Sequence, residues 1–142
     1  MKYILLALAL LAVAIAFPRT KRQAFQLPDG AFLLLGKEPP ETFDCSNKAT
    51  GYYADLDTGC QVFHVCNQVE HKDGSKETFH YSFICGNQTI FSQLTMTCAT
   101  PEEATPCQSA PEFYRLNQKI GLTDTPILED ADVEKHNQLR QL

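Results

Sequence analysis

The apolar positions change character along the chain. Tyr3 to Ile15 is an almost unbroken apolar run behind the basic start Met1-Lys2, and it closes on Ala14-Ile15-Ala16. About 13 apolar residues fall short of the roughly 20 needed to cross a bilayer as a helix. Small residues at the two positions a signal peptidase reads predict an export signal cut after Ala16. Ala31-Phe32-Leu33-Leu34-Leu35 follows, ended by Gly36 and Pro39-Pro40, and predicts a short strand or helical turn packed on the core. Gln61–Val65 and Thr78–Ile84 are rich in aromatic and β-branched residues and read as strands, with Lys72-Asp73-Gly74-Ser75 turning between them. Alternation puts Phe79, Tyr81 and Phe83 on one face and His80 and Ser82 on the other, with the aromatic face read as core. Thr89-Ile90-Phe91 against Thr95-Met96-Thr97 predicts a second hairpin. After residue 107, Pro111–Leu116 reads as one helical turn, and Gly121–Leu142 shows no apolar stripe and is expected to be disordered.

Six cysteines punctuate the middle of this pattern, spaced Cys45-x14-Cys60-x5-Cys66-x18-Cys85-x12-Cys98-x8-Cys107, and there are no others. An even set behind an export signal reads as a disulfide framework. The segment from first to last cysteine is 63 residues long, too small to bury a comfortable core. Each bridge adds ~2–4 kcal/mol, chiefly by restricting the unfolded chain. The fold class expected is a small all-β, disulfide-rich module of two short antiparallel sheets or hairpins. Spacing alone leaves the pairing of the six open.

Arg19-Thr20-Lys21-Arg22 matches the pattern that secretory-pathway convertases cut, just before Gln23; the alternative is a basic mature N-terminus. The full chain carries 12 Lys+Arg and 17 Asp+Glu, and four of the basic residues lie in 1–22, so removing that part leaves 8 against 17, a net charge of −9. Such an acidic chain is not expected to bind nucleic acid or an anionic membrane. The layout is then a signal peptide (1–16), a short propeptide (17–22), a lead-in (23–43), the cysteine module (44–107) and a polar tail (108–142).

Gly51-Tyr52-Tyr53-Ala54-Asp55, Cys60-x-x-Phe63-His64-x-Cys66 and Cys85-Gly86-Asn87-x-Thr89-x-Phe91, with the five cysteine intervals, resemble the peritrophin-A or chitin-binding type-2 domain of arthropods. The lead-in and Ala110-Pro-Glu-Phe-Tyr-x-Leu-Asn resemble a narrower group of single-module secreted proteins that includes the first scoloptoxin family of centipede venom. The resemblance implies the pairing Cys45–Cys66, Cys60–Cys107 and Cys85–Cys98. It also implies chitin as ligand. A β-linked N-acetylglucosamine chain offers flat, weakly apolar faces, hydroxyls and acetamides without charge. Aromatic rings hold such faces and a few polar groups orient them, with no cofactor or metal.

The residues expected to meet the sugar are Tyr52, His64, Phe91, Ser92 and Thr95. Tyr52 neighbours an inward Tyr53, and His64 neighbours an inward Phe63, so both are expected to point outward. Phe91, Ser92 and Thr95 lie on the hairpin, where Leu94 and Thr95 stand in place of the aromatic and Asn or Asp frequent in the family. Tyr53 and Phe63 are expected to be scaffold, and Asp55 to cap the turn through Leu56-Asp57-Thr58-Gly59. Asn87-Gln88-Thr89 is a glycosylation sequon.

Enzyme chemistry is not expected. A glycosidase needs a carboxylic acid pair across a groove, and no Ser-His-Asp or free Cys-His arrangement is visible in the sequence. Cys-x2-Cys or His-x3-His spacing for zinc is missing, and His71 and His80 read as surface histidines. The expected protein is secreted, extracellular, monomeric and non-catalytic, binding chitin in cuticle or another matrix. The alternative is a venom component on the same scaffold with another target. A protease inhibitor or antimicrobial protein is the third class, disfavoured by the acidic balance.

Overall fold

The computed structural model describes residues 27–141, so the expected signal and propeptide segments lie outside the described residues. A single helical turn, α1 (Ala31–Leu35), is followed by β1 (Gly51–Ala54), β2 (Val62–Glu70), β3 (Lys76–Ile84), β4 (Ile90–Ser92) and β5 (Thr97–Ala99). A 3₁₀ helix (Cys107–Lys119) and α2 (Asp130–Leu139) complete the chain. β1-β2-β3 form an antiparallel sheet, and β4-β5 a two-stranded one.

β2 and β3 run further than their apolar stretches, because the ladder continues through polar pairs to Glu70 opposite Lys76. The turn beyond is closed by His71 N–H donating to the Ser75 carbonyl at 2.8 Å and by the Asp73 carboxylate accepting from Ser75. Three bridges staple the module in the pairing implied by the resemblance. Cys45–Cys66 ties the start of the module, just after the lead-in, to β2, Cys60–Cys107 ties the turn before β2 to the 3₁₀ helix, and Cys85–Cys98 ties the end of β3 to β5. Ala54, Cys60, Cys85, Phe91 and Ala110 form the main core, with Phe63 and Tyr114 against it. Asp55 caps its turn as expected, its carboxylate accepting the Asp57 N–H at 2.9 Å.

The tail corrects the expectation of disorder. Ala110, Phe113 and Leu116 recur every third residue, which is the period of a 3₁₀ helix, and all three are fully buried. A search for a 3.6-residue stripe passes over that spacing. α2 docks through Leu139, which with Leu128 packs on Leu94, Phe113 and Leu116, and through polar contacts: Asp132 pairs with Arg115, Lys119 with Glu129, Lys135 with Glu112, and His136 Nδ1 lies 3.3 Å from Thr105 Oγ1. Hydropathy carries no trace of the polar part of this docking. α1 differs from expectation in the other direction, since Ala31 is buried while Phe32, Leu33 and Leu34 are exposed.

Candidate functional site

Strand register gives the three-stranded sheet two chemically distinct faces. Tyr52 stands opposite Val65, and Val65 opposite Tyr81; Ala54 stands opposite Phe63, and Phe63 opposite Phe83. With Asn67 and Phe79, these residues share one face. At its lower end Phe63 stacks on Phe91 at 4.4 Å and on Phe83 at 5.3 Å, a column of rings running from core to surface. Further along, Phe79 and Tyr81 lie nearly parallel, 6.5 Å apart. The β4-β5 hairpin covers only the Phe91 end. Tyr52 is 37% and Phe83 43% exposed, and Tyr81 and Phe79 are half-buried. This reverses the expectation that Phe79, Tyr81 and Phe83 form the core.

Backbone contacts hold Tyr52 in this row. The Asn117 side chain accepts its N–H at 2.9 Å and donates to its carbonyl at 2.8 Å, while Gln93 Nε2 donates to the same carbonyl at 2.7 Å. Gln93 Oε1 also accepts the Ala54 N–H at 2.9 Å, and Tyr114 donates its hydroxyl to the Ala54 carbonyl at 2.9 Å. A tail residue and a hairpin residue thus replace the missing neighbour strand of β1.

The opposite face carries His64, His80 and Ser82 and looks into a cleft of about 630 Å³ beneath the lead-in. His64 Nδ1 lies 2.9 Å from both Ser82 Oγ and His80 Nε2, and His64 Nε2 lies 3.4 Å from Asp55 Oδ2. Phe43 of the lead-in stacks on the His64 ring at 4.0 Å. Burial and the neighbouring His64 push the His80 imidazole below its usual range, against an opposing pull from Asp44. Burial raises the Asp55 carboxyl, but His64 and the backbone of Asp57 and Thr58 outweigh it and hold it below the usual range. Spatially this is a Ser–His–Asp relation that the sequence did not show. Its geometry is that of a shared polar floor: Ser82 and His80 both crowd the Nδ1 side of His64, while Asp55 stands on the Nε2 side.

The residues expected to meet the sugar are therefore not brought together. Tyr52 and Thr95 are exposed, on the aromatic face and in the β4–β5 turn respectively. His64 is 5% exposed and sits under Phe43, so it does not point to open solvent. Phe91 is 1% exposed, packed beneath Phe63, and Ser92 is buried against Thr105. Small-domain cores need rings, and the hairpin supplies Phe91 as one. Tyr81 and Phe83 were the missed residues. Their signal was the alternation itself, with the sides exchanged because the lead-in, through Cys45 and Phe43, covers the histidine side. Asn87 is exposed in the turn before β4.

Residues 45–107 match the chitin binding peritrophin-A domain family. U-scoloptoxin(01)-Cw1a of Cormocephalus westwoodi is 30% identical over 89 residues, covering 61% of this chain and 68% of the relative. U-scoloptoxin(01)-Er1a of Ethmostigmus rubripes is 31% identical over 87 residues, covering 61% and 66%. The chain thus spans about two thirds of each relative's length. No solved structure matches it. With the cysteine module matched from first to last bridge residue, the chain belongs to the chitin-binding peritrophin-A domain family.

Proposed function

We propose that this is a secreted, non-catalytic chitin-binding protein whose sugar platform is the aromatic face of β1–β3. The observation that carries the reading is the alignment of Tyr52, Tyr81 and Phe83 on one face of a disulfide-held sheet, with their rings partly open to solvent. Consecutive N-acetylglucosamine rings lay their C–H faces on such rings, gaining from burial and from contact with the negative π-face. Asn67, on the same face opposite Phe79, is placed to bond an acetamide or hydroxyl. Thr95, exposed in the β4–β5 turn and not on the sheet, is left out of the platform.

A glycan on Asn87 belongs to this reading as a solubilising group a few residues beyond Phe83. The protein acts as an extracellular monomer in cuticle or another chitinous matrix, with no nucleic-acid or membrane partner. The second reading, a venom component with a target other than chitin, is favoured by the two relatives carrying toxin names.

A chitin-bead pulldown of the disulfide-intact protein decides between them. Retention on beads, competed by soluble N-acetylglucosamine oligomers, supports the first reading. Complete recovery in the supernatant, beside a retained control binder, overturns it.

A further inference from the structure

The cleft on the histidine face lies on the far side of the sheet from the proposed platform. Every Lys-, Arg-, Asp- or Glu-type residue lining it, among the described residues, is acidic: Asp29, Glu38, Glu41 and Asp55. Apolar groups share the lining with them, among them Leu27, Phe32, Pro39 and Phe43, the last stacked on His64 of the floor. Its floor contains a polar atom that the fold does not satisfy. His64 Nε2 is buried and makes no aligned hydrogen bond, although Asp55 Oδ2 lies 3.4 Å away. Buried polar atoms in folded proteins are normally paired, so this nitrogen marks the floor as a place for a polar ligand. The volume, about 630 Å³, is within the range of small-molecule sites.

From this we infer a second binding site, for a cationic amino sugar: a glucosamine unit of deacetylated chitin. Its ammonium sits among the carboxylates, its ring C–H face lies against the apolar lead-in wall of Ala31, Phe32 and Pro39, and its hydroxyls reach the floor of His64, His80 and Ser82. The charge preference follows from the lining; the choice of a sugar body rests on the chitin reading above. Two faces would then sort two states of one polymer, acetylated units on the aromatic face and deacetylated units in the cleft.

The test titrates the full disulfide-intact chain with tetraglucosamine and, separately, with its N-acetylated counterpart, followed by calorimetry. The variants are a rim set, Asp29→Asn with Glu38→Gln and Glu41→Gln, and a platform change, Tyr81→Ala. Tetraglucosamine is expected to bind the parent chain and the Tyr81→Ala variant alike, and to bind the rim variant about tenfold more weakly. Chitin-bead retention should be unchanged in the rim variant and reduced by Tyr81→Ala. The cleft assignment is overturned if tetraglucosamine fails to bind, if Tyr81→Ala weakens it as much as the rim changes do, or if an oligolysine peptide binds more tightly than the sugar. Chitin retention is read independently, so failure of the cleft leaves the platform reading standing, and the converse also holds. Floor variants His80→Gln and Ser82→Ala, checked for an unchanged melting temperature, should weaken tetraglucosamine without altering bead retention.

Discussion

Asn117 and Tyr52 are joined by two hydrogen bonds that reproduce one rung of a β-ladder: the Tyr52 N–H reaches Asn117 Oδ1 at 2.9 Å, and Asn117 Nδ2 reaches the Tyr52 carbonyl at 2.8 Å. An amide side chain on the 3₁₀ helix thereby closes an edge that would otherwise stand open to pairing with another chain. The arrangement needs space, and Gly51 provides it. A Cβ at residue 51 would overlap the Asn117 side chain.

Asn117→Ala should lower stability by about 2–3 kcal/mol, since two hydrogen bonds are lost and partly buried backbone groups are left unpaired. Gly51→Ala should cost a similar amount by displacing the same side chain. The double variant should cost clearly less than the sum, because removing the Asn117 side chain opens room for the new methyl. Urea denaturation with the bridges intact measures all three. Strict additivity would show that the two residues do not meet as described.

The tail should contribute unequally along its length. Phe113→Ala removes a fully buried ring and is expected to cost about 3–5 kcal/mol. Ending the chain after Thr123 removes the buried Asp132 and His136 and uncovers the Phe113 cluster that Leu128 and Leu139 pack against, and should cost about 2–3 kcal/mol. If truncation destabilises more than Phe113→Ala, the docking of α2, not the Phe113 ring, is what holds the tail.

These elements also show where sequence reading reached and where it stopped. The two hairpins, the turn at Asp73-Gly74 and the inward Tyr53 were legible, because β-propensity and turn chemistry act locally. Family resemblance supplied the three bridges; their spacing did not. The placement of His64 was not legible, since alternation says which residues share a face and nothing about which face is covered. Here a segment before the module, tied down by Cys45 and carrying Phe43, covers the histidine side, a long-range fact with no local trace. Phe91 likewise was read as platform because both roles call for a ring.

Acid should weaken the fold in two stages. His80 and His136 are both held below the usual histidine value of 6.5, His80 by burial and His64, His136 by burial and the Arg140 charge. A depressed histidine resists protonation in the folded state while the unfolded chain accepts the proton. Stability is therefore intact above pH 6.5 and falls as the pH drops below it. Asp55 and Asp132 are held below the usual 3.8, each against a desolvation that raises it, by His64 and backbone donors for Asp55 and by the Glu129 backbone and Arg115 for Asp132. Their contribution is present above 3.8 and is lost only as the pH falls further. Melting temperature against pH should show both declines. Replacing His80 and His136 together by Asn should flatten the first and spare the second; a first decline of unchanged slope would assign it elsewhere.

The platform itself makes the sharpest demand, because rings on the sheet differ in role by position alone. Phe91 and Phe83 belong to one stacked column through Phe63, yet Phe91 is sealed beneath it and Phe83 opens to solvent. Phe91→Ala should therefore cost about 3–5 kcal/mol of stability and abolish chitin retention only by unfolding the module. Phe83→Ala, Tyr81→Ala and Tyr52→Ala should change stability far less and each weaken chitin binding by about tenfold, the worth of one lost ring contact with its buried area. Chitin-bead isotherms paired with denaturation curves separate the two effects. Tyr52→Phe adds a control, since it keeps the ring face and removes only the hydroxyl, and should retain most of the affinity. If the three exposed positions leave retention unchanged while each variant remains folded, the aromatic face is not the sugar platform and chitin, if bound, is bound elsewhere on the module.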